Sequence, residues 1–230
     1  MVVPCAMTSP EQAGESALLP ALHLFAAFLD RRLKRGAFTT EDAVRYTFFA
    51  ALIEALNLLP EDIILEQNHG SIARAKIDTW IPSLDGYAYG IEFKYDRPIP
   101  SGKNAPLTQK AGHVLKDIFR LAKIDASLKV ETIFVYLATR EMAGYFGNPN
   151  NGLTDLFGLG AGASMRIDSK YIASRPETLR RAAGEVTPCI VSSLHSCEIA
   201  NAHQLRIFGV RPTILTLERN QLSNDAVQGV

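Results

Sequence analysis

Cysteine is scarce in this 230-residue chain, with only Cys5, Cys189 and Cys197 present, in no CxxC pair and no even set. A disulfide framework and a paired-thiolate structural zinc site are thereby disfavoured. Net charge is missing too, because 24 Lys and Arg cancel 24 Asp and Glu. No bulk field draws in a polyanion, and any phosphate contact must come from a local patch. Long apolar runs are absent: the richest stretches are interrupted by Arg31, Arg32, Lys34 and Glu54, well short of the roughly 20 apolar residues that cross a bilayer. The opening MVVPCAMTSPEQAGES has no basic leader ahead of an apolar segment, so a cytoplasmic protein without membrane contact is expected.

Other chemistry-bearing patterns are also lacking. The GLGAG stretch at 158–162 has no following lysine and no strand-to-helix setting, so it reads as a flexible loop and not a phosphate cradle. Ser193 and His195 stand in no nucleophile-elbow pattern. No internal repeat is visible.

What is present is a 47% hydrophobic composition, enough for one sizeable core. Leu18, Leu22, Phe25, Phe28 and Leu29 recur at helical spacing, and a basic cluster follows before Gly36. Thr39 and Thr40 ahead of Glu41 and Asp42 predict the start of a second helix, which stops near Pro60. Ile63 to Leu65, Ala75 to Ile81 and Tyr87 to Tyr95 read as a three-stranded meander, with Asp85-Gly86 as a tight turn. After a Pro- and Gly-rich loop with Asn104 as a capping candidate, a helix runs to about Ile124. The apolar run Thr132 to Ala138 suits a strand buried on both faces. The core order is therefore αβββαβ. The Gly- and Asn-rich stretch that follows reads as a long irregular loop. Beyond it a strand over Met165 to Ile172, a helix over Pro176 to Ala183 and strands near Ile190 and Ile214 are expected.

The chemistry concentrates in AKIDTWIP and YGIEFKYD. Residues two apart on a strand share a face, so Glu92 and Lys94 point one way while Ile91 and Phe93 point the other. Asp78, placed opposite them across the hairpin, brings three ionisable groups together among apolar neighbours. Two carboxylates suit a hard divalent cation, and an ammonium beside them suits stabilisation of a phosphoryl transition state. An exposed cross-strand charge cluster is the alternative reading.

Asp78, the thirteen residues 79–91 and then Glu92-Phe93-Lys94 resemble the PD-(D/E)xK nucleases, with Ile77 in place of the name-giving proline. The resemblance implies a restriction-endonuclease-like α/β fold, a mixed central sheet with flanking helices. Its core would be residues 39–140, preceded by an N-terminal helix within 1–38. A C-terminal α/β elaboration of the same domain would follow at 141–218, then a tail at 219–230. It implies Asp78 and Glu92 as ligands of Mg2+, with Mn2+ as a substitute, and Lys94 as the catalytic lysine. For the supporting acid on the preceding helix Glu54 is the candidate, with Glu66 as competitor. Gln109 with Lys110 stands where some branches carry a glutamine. Lys103, Lys110, Lys116 and Arg120 are candidate phosphate contacts, with a solvated helix face as the alternative. The implied function is metal-dependent endonuclease hydrolysis of DNA, acting as a homodimer in the manner of a type II restriction enzyme. The alternatives are a repair or defence nuclease on structured or single-stranded nucleic acid, and a non-catalytic nucleic-acid-binding protein on a nuclease fold.

Overall fold

The computed structural model describes residues 17–97, 105–124 and 129–213. Cys5, Lys103, Asn104, the strand expected at Ile214 and the tail 219–230 lie outside them.

Helix α1 (Leu19–Lys34) closes on Arg31, Arg32 and Lys34, cations that complement the partial negative charge of a helix C-terminus. The Thr40 hydroxyl accepts the Ala43 N–H at 3.1 Å and starts α2 (Glu41–Leu56), as the capping pattern predicts. A meander follows: β1 (Ile64–Asn68), β2 (Lys76–Leu84) and β3 (Tyr87–Tyr95). Leu84 pairs with Tyr87, and the two intervening residues, Asp85 and Gly86, both have positive φ. That is the two-residue turn whose twist matches paired strands. Next come α3 (Leu107–Leu121) and β4 (Val130–Ala138).

The stretch expected to be irregular instead holds α4 (Arg140–Gly147) and the short α5 (Thr154–Phe157). Thr139 caps α4 through the Met142 N–H, and Met142, Phe146, Leu156 and Phe157 are buried. Gly and Asn at the helix ends hide this apolar spacing from a reading by composition. The strand expected over Met165 to Ile172 is also corrected. β5 (Ser164–Ile167) stops at Asp168, whose carboxylate accepts the N–H groups of Lys170 and Tyr171 and starts α6 (Ser169–Ala173). A capping side chain offers the backbone a helical alternative to the ladder. Helix α7 (Glu177–Ala183) and strands β6 (Cys189–Ile199) and β7 (His203–Pro212) complete the described chain.

All seven strands form one mixed sheet in the order β1-β2-β3-β4-β7-β6-β5, and β3 with β4 is its parallel pair. β7 lies directly beside β4, so the C-terminal third of the chain extends the sheet that the meander begins. Helices cover both faces. One core joins α1 and α2 to Ile91, Phe93, Ile133, Val135, Leu205 and Ile207. The other joins α3 to α7 with Phe134, Tyr136, Val191, Phe208 and Val210. β4, buried on both sides, carries the continuous apolar sequence that such a position demands. Of the two described cysteines, Cys189 is a buried free thiol and Cys197 Sγ lies 3.2 Å from His195 Nε2. Among the described residues no helix is long and apolar enough to cross a membrane.

Candidate active site

β2 and β3 are paired from the turn to Thr79 opposite Ile91, and there they part. The N-terminal end of β2 stays with β1, through Gln67 opposite Ile77 and Asn68 opposite Lys76. The far end of β3 stays with β4, through Tyr95 beside Leu137. Two β3 amides beyond the fork are taken up by carboxylates instead of a strand. The Phe93 N–H donates to Asp78 Oδ2 at 2.8 Å, and the Tyr95 N–H donates to Glu41 Oε2 at 3.0 Å. The fork is thus an acid-lined opening in a sheet, held apart by the acids that line it.

Glu92 and Lys94 share the face of Phe134 and Tyr136, their register partners on β4, and α3 crosses that face. It brings down Arg120, which donates to Glu92 Oε2 and lies 3.8 Å from Asp117. His69 is buried below the helix end, with Nε2 3.0 Å from the Arg120 carbonyl, while its Nδ1 accepts the Ser71 N–H. With Nδ1 accepting, Nε2 carries the proton and donates. From the other layer, Arg45 on α2 reaches Glu66 at 2.8 Å and Asp78 Oδ1 at 3.1 Å. Lys94 Nζ lies 3.7 Å from Glu41 Oε2. Five carboxylates, Asp78, Glu92, Asp117, Glu41 and Glu66, therefore face three cations, Lys94, Arg45 and Arg120.

Burial decides the protonation states. Glu92 is 1% exposed, and burial together with the nearby Asp78 charge pushes its carboxyl up to about 9, against the pull of Arg120. Asp117 is raised to about 6, again by burial first, with Lys94 and Arg120 opposing. For Lys94 burial acts to lower the ammonium, but Glu41, Asp117, Asp96 and Asp78 outweigh it and leave it raised. Lys94 is accordingly a firm cation at neutral pH. Asp96, also buried, accepts from the Tyr136 hydroxyl at 3.1 Å and is raised by its burial against Lys94, Lys110 and His113.

The donor set can be tested against a divalent cation. Glu92 Oε1 is buried and has no hydrogen-bond partner, while the nearby Asp78 charge helps to raise the Glu92 carboxyl. Among the described residues no group of three or more His, Cys, Asp or Glu side chains is arranged to hold a metal. Two carboxylates completed by water are nevertheless a usual protein contribution to Mg2+. Glu92 Oε1 is uncommitted, whereas Asp78 already accepts from Arg45 and from the Phe93 N–H, so an ion bound between them would have to displace those donors.

Three of the expected site residues, Asp78, Glu92 and Lys94, line the fork, where Asp78 accepts the N–H of Phe93, the residue between the other two. Arg120, expected as a phosphate contact, is instead the guanidinium on Glu92. Glu54 is exposed on α2, and the acid that reaches Lys94 from that helix is Glu41 in its first turn. Glu66 holds Arg45 in place. Gln109 is half-buried and lines a groove with Lys116, which is exposed. Lys110 is buried, with its charge beside Asp96. Arg45, Asp96 and Asp117 carry no expectation from the sequence, and Glu41 carries only that of a helix cap. The available signal was weak: an acid in the first turn of a helix, and an acid three residues before an arginine, are both common. Trp80 packs beside the site against Gly90, where a Cβ would stand 3.2 Å from its ring.

In comparison with known proteins, no family model, no curated protein and no solved structure matches this chain.

Proposed function

We propose that this chain is a divalent-metal-dependent endonuclease of the PD-(D/E)xK type, with a restriction-endonuclease-like fold, hydrolysing DNA phosphodiester bonds. The observation that supports it is the convergence of Asp78, Glu92 and Lys94 from two strands at the β2/β3 fork, with α3 laid over them. Asp78 and the open Oε1 of Glu92 would hold Mg2+ or Mn2+. The ion, when bound, would offset negative charge gathering on the attacked phosphate. Lys94, a cation at neutral pH, serves as a hydrogen-bond donor and not as a base. It orients the attacking water and stabilises the extra charge of the pentavalent transition state. Glu41 anchors its ammonium, and the Tyr95 N–H anchors Glu41.

A second reading draws on a specific observation. Arg45 and Arg120 already occupy Asp78 Oδ1 and Glu92 Oε2, which suits a non-catalytic nucleic-acid-binding protein that keeps a nuclease scaffold. Incubation with supercoiled plasmid and with single-stranded DNA, under Mg2+, Mn2+ or chelator, separates the readings. Metal-dependent cleavage is expected, slowed about 100-fold or more in Lys94→Ala, the scale of losing one transition-state donor. Discrete duplex fragments would favour a restriction-type enzyme, and preferential loss of the single strand a repair or defence nuclease. Binding without cleavage in parent and Lys94→Ala alike would replace the nuclease reading with the second one.

A further inference from the structure

Helices α3 and α7 approach unusually closely, because a Cβ at Gly112 would stand 2.5 Å from Ala182 Cβ and 2.6 Å from the Leu179 carbonyl. Beside this contact runs a solvent-open groove of about 460 Å3, lined by Gln109, His113 and Lys116 from α3 and by Thr178, Arg181 and Ala182 from α7. Its polar lining is an amide, an imidazole, an ammonium, a hydroxyl and a guanidinium, all hydrogen-bond donors, with no carboxylate among them. His113 is the lining residue nearest in charge to the fork, feeling both Lys94 and Asp96.

We propose that the α3/α7 groove seats the phosphodiester backbone of the DNA strand that enters the fork. This rests on the proposed nuclease reading for the position of the reacting phosphate, but the binding itself is independent of catalysis. Gln109 to Lys116 spans about 10 Å along the helix axis, whereas phosphates recur about every 3.4 Å of rise along a strand. A row of phosphates therefore fits better than one small anion. Arg181 is held by Glu177 at 2.5 Å, with both side chains mostly exposed, and such solvated pairs are weak enough to yield to a phosphate. His113 is held below its ordinary value by burial and by the charges of Lys94 and Lys116. At neutral pH it therefore meets a phosphate as an uncharged donor.

Fluorescence anisotropy of a labelled duplex and a labelled single strand, titrated with full-length protein in chelator at several salt concentrations, tests this. The double variant Lys116→Ala/Arg181→Ala alters two groove side chains, so circular dichroism is expected to match the parent. Its affinity should fall about tenfold and the slope of log K against log salt should drop by about 1 to 2, one per lost phosphate contact. Arg211→Ala, on the exposed β7 cation paired with Glu131, should change neither quantity. A double variant that binds like the parent, or a parent that binds neither oligonucleotide, overturns the groove. A parent that binds through the groove and never cuts keeps this proposal while removing the nuclease reading. A parent that cuts, with the double variant unchanged in affinity and KM, removes the groove alone.

Discussion

Glu92 concentrates the cost of the site in one side chain. Its carboxyl moves from an ordinary 4.5 to about 9 on folding, so between those values the folded state alone holds the proton. Stability from this group is complete below about pH 4.5 and is lost as pH rises toward 9, because the unfolded chain binds fewer protons there. Asp117 adds a smaller loss between its ordinary 3.8 and about 6. Glu92→Gln retains an acceptor for Arg120 and removes the titration. In chelator at about pH 8 it should be more stable than the parent by about 1–3 kcal/mol, with a shallower pH slope in urea unfolding. A parent whose stability climbs over the same range would contradict a buried, protonated Glu92. The sequence made Asp78, Glu92 and Lys94 visible because strand alternation assigns faces without knowledge of the fold. It pointed to Glu54 and not Glu41, because apolar neighbours suggest burial, whereas reach to Lys94 depends on how α2 docks.

At the scale of elements, the close seat of α7 on α3 depends on one missing methyl group. Gly112→Ala would gain up to about 1 kcal/mol of helix propensity, yet its Cβ would stand 2.5 Å from Ala182 Cβ and 2.6 Å from backbone. Overpacking of that kind typically costs about 1–3 kcal/mol, so net destabilisation is expected in chemical denaturation, with the Gln109–Arg181 groove deformed. A neutral or stabilising effect would show that α7 moves aside freely. Element boundaries were legible where capping and turn chemistry are local, as at Thr40 and Asp85-Gly86. They were not legible at α4 and α5, where the burial of Phe146 and Phe157 against the sheet outweighs a Gly- and Asn-rich composition.

For the whole molecule, ligand binding and folding are one equilibrium. If Asp78 and Glu92 hold a divalent cation only when folded, millimolar Mg2+ at ten times its Kd adds about 1.4 kcal/mol. For a chain of this length that raises Tm by roughly 3–6 °C, and Asp78→Asn should lose most of the increase. An equal rise in both proteins would place the ion elsewhere. The seven-stranded sheet makes the arrangement possible by anchoring the far end of β3 to β4 while the near end of β2 stays with β1, so that the strands part at a fixed place.

By itself the sequence determined the α/β class, the order αβββαβ and the shared face of Glu92 and Lys94, since capping, turn chemistry and alternation act over a few residues. Only the tertiary structure decided that β7 inserts beside β4, that Arg45 and Arg120 cover the carboxylates, and that Glu41 reaches Lys94. Those contacts join residues dozens of positions apart, and their geometry follows from how two helical layers close over a twisted sheet, which no local pattern encodes.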